Sequence, residues 1–221
     1  MTDYRVRMSD RFLEAAIMGA IEAYCHGDGF QTEIETIGPI WGHRRIVGDE
    51  QIIFLERLAV SLSADRQTDS VTPKAEATDL MAEVMERLAP ELTLLGDFHS
   101  HPYKDRATVN RIKGFEFSPG DFNSFLHDDD LWDRNPGGPV MLVVTICRLN
   151  RVHDTDGQQL RNNVWQFDLG EFRFWINVCI GYFDGNGRRQ HTGNKRSNVW
   201  LDLNSRFFNL SGDRVGAARG D

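Results

Sequence analysis

The 221-residue chain is long enough for one domain with an elaborated edge, and its 40% apolar residues can form a substantial core. A net charge of −8 disfavours a general nucleic-acid-binding protein, because phosphate binding requires a basic field. The N-terminus lacks an apolar signal region, no membrane segment is expected, and the three cysteines lack paired spacing, so the cytoplasm is the predicted location.

The predicted elements of the first half alternate between helices and strands. Ser9 and Asp10 can cap a first helix that runs to about Tyr24, with one apolar face at helical spacing. Strands are predicted next at 32–42 and 51–60.

A second helix is predicted from Thr72 and Pro73, a good N-cap and first helical residue, to Pro90. Its predicted buried stripe consists of Leu80, Met81, Val84, Met85 and Leu88. A short apolar run at 92–101 then indicates a buried strand.

The second half of the chain is dominated by predicted strands. Residues 102–117 lack a strong period and are predicted as a loop, and a short helix follows from Ser118 to about Leu126. Further strands are predicted at 140–148, 163–169, 171–183 and 198–208, before a loose tail at 211–221. The order predicts an α/β or α+β domain, with a core at 1–150 and the strands of 151–210 completing or extending it.

The most informative segment is His99-Ser100-His101, followed by Ser118 and Asp121. Side chains in a strand repeat every second residue, so the two histidines point to the same face and form half of a zinc site. A carboxylate from Asp121, at the third position of the following helix, can complete three ligands and leave a fourth position for water. Two simpler readings stay open: a hydrogen-bonded histidine pair, and a variant capping box at Ser118.

An acidic residue upstream is the candidate proton carrier. Glu35 lies among Ile34, Ile37 and Ile40, where an ionised carboxylate is costly to bury without a partner. Beside a zinc-bound water it could act as general base and then general acid. An edge-strand Glu that faces solvent is the simpler reading, and Pro39 forces an edge or a bulge that leaves Glu33 as the alternative.

Together these residues resemble the motif of the JAMM metallopeptidases, the catalytic MPN-domain family. The shared pattern is Glu-x-x-Gly-x-x-x-Gly, a long gap, His-Ser-His-Pro and Ser-x-x-Asp, and the likeness covers about residues 5–150. The resemblance implies a JAB/MPN-like fold, similar to cytidine deaminases, with a mixed sheet and flanking helices. It also implies Zn²⁺ as the cofactor, held by His99, His101 and Asp121, with Glu35 as acid/base and Ser118 holding the oxyanion.

In that family these groups hydrolyse a peptide or isopeptide bond after the tail of a ubiquitin-like or sulfur-carrier protein. The resemblance therefore implies a deubiquitinase-like isopeptidase whose partners include that substrate and enzymes of the conjugation pathway. The alternative function is an MPN-type scaffold without catalysis. An amidohydrolase barrel also begins from His-x-His, but 221 residues with irregularly spaced strands disfavour eight full repeats.

The gap between His101 and Ser118 is longer than is usual in the family. Because both ends are anchored, the extra residues are expected to loop out without moving the ligands. The loop is either an ordinary solvated segment or a flap that adds an edge strand beside an extended substrate tail.

Overall fold

A computed structural model of the chain describes residues 2–27, 32–194 and 198–203. The strands are β1 (Asp3–Met8), β2 (Ile37–Val47), β3 (Glu50–Leu58), β4 (Asp65–Arg66), β5 (Val71–Thr72), β6 (Thr93–Tyr103), β7 (Val140–Arg148), β8 (Thr155–Arg161), β9 (Val164–Leu169), β10 (Phe172–Phe183), β11 (Arg189–His191) and β12 (Val199–Asp202). The helices are α1 (Asp10–Cys25), α2 (Ala75–Leu88), α3 (Arg106–Ile112), α4 (Pro119–His127) and α5 (Asp129–Asp133).

A large mixed sheet dominates this part of the chain, so the expected mixed α/β class is confirmed. Its strand order is β12-β1-β3-β2-β6-β7-β10-β9-β8, with β11 paired to β10 and a separate β4-β5 hairpin. The β6–β7 pair is parallel and the β2–β6 and β7–β10 pairs are antiparallel. The strands of the second half therefore belong to the same sheet, with β7, β10 and β9 as interior strands and β8 and β12 at its two edges.

The core lies on both faces of the sheet. Helix α1 packs against β3, β6 and β7 and buries the apolar stripe that its sequence period predicts. Its N-cap is Ser9, whose Oγ accepts a hydrogen bond from Phe12 N at 3.2 Å. On the opposite face Phe125 of α4 and Trp132 of α5 pack with Met141 and Val143 of β7. Because β7 is covered on both faces, it is buried except at its last residue.

Strand β2 is an interior strand, so the edge predicted from Pro39 is wrong, whereas the predicted bulge is confirmed. The register of β2 shifts against β6 between Ile40 and Trp41, and against β3 between Trp41 and Gly42. The irregularity directly after Pro39 accommodates a residue that has no N–H for the ladder.

Two features of the first half differ from the predictions. Strand β1 was not predicted, although its alternating burial matches the alternation of Tyr4, Val6 and Met8 in the sequence. Helix α2 begins at Ala75 after an N-cap at Lys74, rather than at Thr72 and Pro73.

The predicted buried stripe of α2 is largely exposed. Leu80, Val84 and Leu88 are 61%, 44% and 76% exposed, and Ala82 is the one buried residue of the helix. Helical period indicates which side chains share a face, but it carries no information on whether another element covers that face.

The region predicted as a loop at 102–117 is ordered into the end of β6 and helix α3. Asp105 caps α3 by accepting from Thr108 N at 2.7 Å, and Val109 is fully buried. A seven-residue helix is too short for its period to be recognised in the sequence. At the C-terminus, β12 confirms the start of the predicted last strand, while its continuation and the 211–221 tail lie outside the described residues.

No helix within the described ranges combines the length and apolar character that crossing a membrane requires.

Candidate metal centre

Strand β6 presents two histidines on one face, as its two-residue period predicts. His99 and His101 are 5% and 6% exposed, and their ring centroids lie 5.0 Å apart. The strand lies between β2 and β7, so both neighbours restrict the rings. The sheet therefore holds the two buried imidazoles next to each other on one face.

Helix α4 brings a carboxylate to the same point. Its N-terminus is a complete capping box, in which Ser118 Oγ accepts from Asp121 N at 3.1 Å and Asp121 Oδ2 accepts from Ser118 N at 2.6 Å. Asp121 Oδ1 lies 3.6 Å from His99 Nε2, and Asp121 Oδ2 lies 3.4 Å from His101 Nε2. The cap thus aims the Asp121 side chain at both histidines, so the capping and ligand interpretations hold together.

The three side chains fit a bound cation. One ligand atom from each of His99, His101 and Asp121 lies within 4.8 Å of the others, and they form the only such group among the described residues. The Nε2 atom of His99 is buried without a hydrogen-bond partner in this part of the chain. Ligands at zinc bond lengths in a tetrahedron stand about 3.3 Å apart, close to the separations from Asp121. This group could hold a metal ion.

The orientation of His101 depends on a backbone group that the sequence does not indicate. Its Nδ1 lies 3.1 Å from the carbonyl oxygen of Gly114, which also accepts a hydrogen bond from Thr145 Oγ1 at 3.1 Å. Donation from Nδ1–H leaves the lone pair on Nε2, which faces Asp121. Gly114 follows α3, so the segment between His101 and Ser118 contacts one of the ligands, while His101 and Asp121 still meet.

Glu35, rather than Glu33, reaches the site. Glu35 is 8% exposed and lines the same cavity as His99 and Asp121. Glu33 lies in a left-handed turn with φ of 55° and does not line this cavity. The segment before β2 is tied to the histidine strand, because Thr36 N donates to Ser100 Oγ at 3.0 Å and Thr36 O accepts from Ser100 N at 2.9 Å.

The environment of Glu35 favours a proton carrier. Burial raises its pKa to about 7, with further contributions from the Asp121 and Asp69 carboxylates, while His101 acts in the opposite direction. A group with a pKa near neutrality is present in both protonation states at physiological pH.

His99, His101 and Asp121 lie close enough to shift one another's pKa values. Burial lowers the pKa of His99. Burial also disfavours protonation of His101, but the adjacent Asp121 and Glu35 carboxylates and the Gly114 carbonyl raise its pKa overall. Burial acts to raise the pKa of Asp121, and the two adjacent imidazoles outweigh that effect and hold it well below its usual range.

Glu35, His99 and Asp121 border a cavity of about 530 Å³ that extends from His99 along β6 toward α2 and α5. Ser118 also lines it, so all five predicted site residues are brought to one place. Asp97 lines the cavity as well, and sequence reasoning missed it, although it precedes His99 by two residues on the same strand face. Burial, with the Asp128 and Asp121 carboxylates, raises the pKa of Asp97 to about 7.

The acidic run after α4 serves local structure. His127 Nδ1 lies 2.8 Å from the carbonyl oxygen of Asn123, and Asp128 Oδ1 accepts from Leu131 N at 2.9 Å to cap α5. The run from His127 to Asp130 is therefore the junction of two helices rather than the solvated turn that was predicted, because Asp129 and Asp130 form the first turn of α5.

Comparison of the sequence with protein-family models and with curated proteins finds no match.

Proposed function

We propose that this protein is a zinc-dependent hydrolase of the JAMM type, with a JAB/MPN-like and cytidine-deaminase-like fold, that cuts peptide or isopeptide bonds. The observation that carries the proposal is the convergence of His99, His101 and Asp121 beside a buried Glu35. Three protein ligands leave one tetrahedral position open, which is typical of catalytic rather than structural zinc.

The two imidazoles and the Asp121 carboxylate would hold the ion, and the Gly114 carbonyl fixes the tautomer of His101. When bound, zinc supplies Lewis acidity and lowers the pKa of water toward neutrality. Two neutral imidazoles and one carboxylate would neutralise only one of the two charges of Zn²⁺. The centre would therefore keep a net positive charge, which attracts a carbonyl oxygen.

Glu35 moves the proton in this mechanism. Its carboxylate accepts a proton from the attacking water and later delivers it to the leaving amine. A pKa of about 7 suits both steps, because neither gaining nor losing the proton is strongly unfavourable near neutral pH.

Ser118 stabilises the oxyanion. Its Oγ already accepts from Asp121 N, which fixes the oxygen, and the hydroxyl hydrogen stays available as a donor toward the cavity. The capping box therefore positions a ligand and an oxyanion donor at once.

The proposed substrate is the C-terminal tail of a ubiquitin-like or sulfur-carrier protein, or its conjugate, in the cytoplasm with enzymes of the conjugation pathway. The proposal rests on the JAMM-like motif and on the cavity of about 530 Å³ that lies beside the ligand group. A ubiquitin-like tail is narrow and can enter such a cleft.

The test combines metal content with cleavage. Purified wild-type protein is expected to carry one zinc per chain, and His99→Ala and Asp121→Ala are expected to lose it, because two ligands cannot hold the ion. His127→Ala is the matched control, since this exposed histidine lies outside the ligand group, and it should keep both zinc and activity. Cleavage is measured on fusions that carry ubiquitin-like tails before a reporter. A chain without stoichiometric zinc would contradict the proposal.

A non-catalytic MPN-type assembly module is the second candidate, favoured by the exposed apolar side chains of Leu80, Val84 and Leu88 on α2. The same experiment separates the two functions: a module without catalysis would cleave no fusion and would carry no stoichiometric metal.

A further inference from the structure

The segment 114–117, which leads into helix α4, is held in place by side chains from much later in the chain. Each of its four residues makes a hydrogen bond to a side chain that follows it by at least 31 positions. The pairs are Gly114 with Thr145, Phe115 with Asn177, Glu116 with Arg161, and Phe117 with Asn194. The position at which α4 begins therefore depends on the strands and loops that follow it, and not on the segment alone.

Asn194 makes the contact that is closest to the ligand. Its Oδ1 accepts from Phe117 N at 2.8 Å, and its Nδ2 donates to Phe117 O at 3.0 Å. One side chain thus binds both polar backbone groups of the residue before Ser118, the N-cap of α4. The Phe117 ring also packs against Phe122 with the centroids 5.7 Å apart, as a hydrophobic staple that fixes the angle at which the chain enters the helix. Asn194 therefore fixes the start of the turn that carries Asp121.

Asn194 is itself held by the sheet. Its Oδ1 also accepts from Nδ2 of Asn177 at 3.2 Å, and Asn177 is a fully buried residue of β10 whose Oδ1 accepts from Asn163 Nδ2 at 2.8 Å. Two positions before Asn194, Thr192 N donates to Ile180 O at 2.9 Å and Thr192 Oγ1 accepts from Ile180 N at 3.0 Å. A connected network of buried polar groups restricts the positions of its members. These amides therefore join the centre of β10 to the start of α4.

The contacts of Asp121 leave little room for a shift of α4. Its two carboxylate oxygens face different imidazoles, with 3.6 Å between Oδ1 and His99 Nε2 and 3.4 Å between Oδ2 and His101 Nε2. The groups of a functional site must be held to within about 0.5 Å of their working positions. A helix start that moved further than this would separate the carboxylate from one of the two histidines.

We propose that Asn194 is a positioning residue of the metal centre, which acts through Phe117 and the start of α4 to hold Asp121 against the two histidines. The inference rests on the proposed function and deepens it, because it gives the part of the chain after residue 150 a role in assembling the site. Asn194 is not among the residues that line the cavity, so it acts on the ligand and not on the substrate.

The test compares the zinc affinity of Asn194→Ala with that of Asn198→Ala in the full-length chain, by competition with a zinc-binding dye. Asn198 is the matched control, because its Nδ2 also donates to a backbone carbonyl, that of Thr2 at 2.8 Å, but it lies outside the ligand group and the cavity lining. We expect Asn194→Ala to bind zinc roughly tenfold more weakly, as for other residues that orient metal ligands. Asn198→Ala should bind zinc as wild-type protein does.

Amide hydrogen exchange of the zinc-free chain tests the same role without the metal. The Asp121 amide, which donates to Ser118 Oγ, should exchange about tenfold faster in Asn194→Ala, the size expected when two hydrogen bonds at the helix start are lost. The Leu131 amide, which donates to Asp128 Oδ1 at the start of α5, should keep its rate. If Asn194→Ala does not fold, Asn194→Asp replaces it. That variant keeps the acceptor for Phe117 N, loses the donor to Phe117 O, and should shift both measurements in the same direction.

An unchanged zinc affinity in Asn194→Ala overturns the inference. Equal losses of affinity in the two asparagine variants also overturn it, because general destabilisation then accounts for both. A lower affinity without faster exchange of the Asp121 amide overturns the route through α4. Wild-type protein that binds no zinc refutes the proposed hydrolase, and the exchange of the Asp121 amide then decides by itself whether Asn194 fixes the start of α4.

Discussion

Asp121 combines two roles that the sequence presents as alternatives. Its carboxylate closes the capping box of α4 and faces Nε2 of both histidines. The first contact contributes to helix stability and the second holds negative charge where a cation would bind. A short polar side chain at the third helical position can meet both requirements because the N-terminus of α4 abuts the end of β6.

Glu35 couples stability to pH in the metal-free protein. Its pKa rises from 4.5 to about 7 on folding, chiefly through burial. Below pH 4.5 both states are protonated, and between these values the unfolded chain loses its proton first. The contribution of Glu35 to the free energy of unfolding is therefore fully present below pH 4.5 and decreases as the pH rises toward 7.

The substitution Glu35→Gln should remove this decrease in the free energy of unfolding with rising pH. We expect the variant to be more stable than wild-type protein at pH 8, by on the order of 3 kcal/mol, and nearly equal to it at pH 4. Urea unfolding of chelator-treated protein at both pH values measures this difference. The variant should also keep zinc and lose turnover. An equal stability difference at both pH values would contradict a raised pKa at Glu35.

At the level of elements, the segment between β6 and α4 supports a ligand. A Cβ at Gly114 would clash with the ring of Tyr103, so Gly114→Ala must displace the loop or the ring. We expect zinc affinity to fall by about 10- to 100-fold, because His101 Nδ1 would lose its acceptor. Competition with a zinc-binding dye measures the change.

Gly185→Ala is the control for Gly114→Ala, since a Cβ at Gly185 meets nothing within 4 Å. That variant should bind zinc as wild-type protein does. An unchanged affinity in Gly114→Ala would mean that the carbonyl of residue 114 does not support the metal site.

Helix α2 should tolerate polar substitution on its apolar face. Leu88→Gln is expected to change the free energy of unfolding by less than about 0.5 kcal/mol, because the side chain is 76% exposed. Leu142→Ala on β7 should cost about 2–5 kcal/mol, because that side chain is fully buried. Unfolding in denaturant measures the free energy of unfolding of both variants. A large cost for Leu88→Gln would reveal a covering surface such as a second chain.

At the scale of the whole molecule, the strands after residue 150 are required for the core. Strand β10 pairs with β7 along its length, and β12 pairs in parallel with β1 at the far edge of the sheet. A chain truncated after Asn150 would expose one entire edge of β7 and would lack a third of the buried residues of the main apolar cluster.

We therefore expect the truncated chain to be insoluble or unfolded, as judged by circular dichroism and by solubility after expression. A chain that ends after residue 203 keeps every described strand and is the matched control. Cooperative folding of the shorter chain would show that residues 1–150 form an independent domain.

The sequence by itself determined the features that depend on local energies. The two-residue period of β6 put both histidines on one face, Ser118 defined the start of α4, and the helical period of α1 identified its buried stripe. These patterns are set by backbone geometry and by neighbours within one turn or one strand. The candidate metal ligands were therefore predictable.

Only the tertiary structure decided which distant groups meet. Pairing with β3 and β12 makes β1 a strand, the Gly114 carbonyl orients His101, and the packing of α2, α4 and α5 beside β6 brings Asp97 into the cavity lining. The tertiary structure also decided that Glu35 rather than Glu33 lies at the site and that the apolar face of α2 is exposed. Each depends on contacts between residues that are far apart in the chain, and the energy of such contacts leaves no periodic pattern in either segment alone.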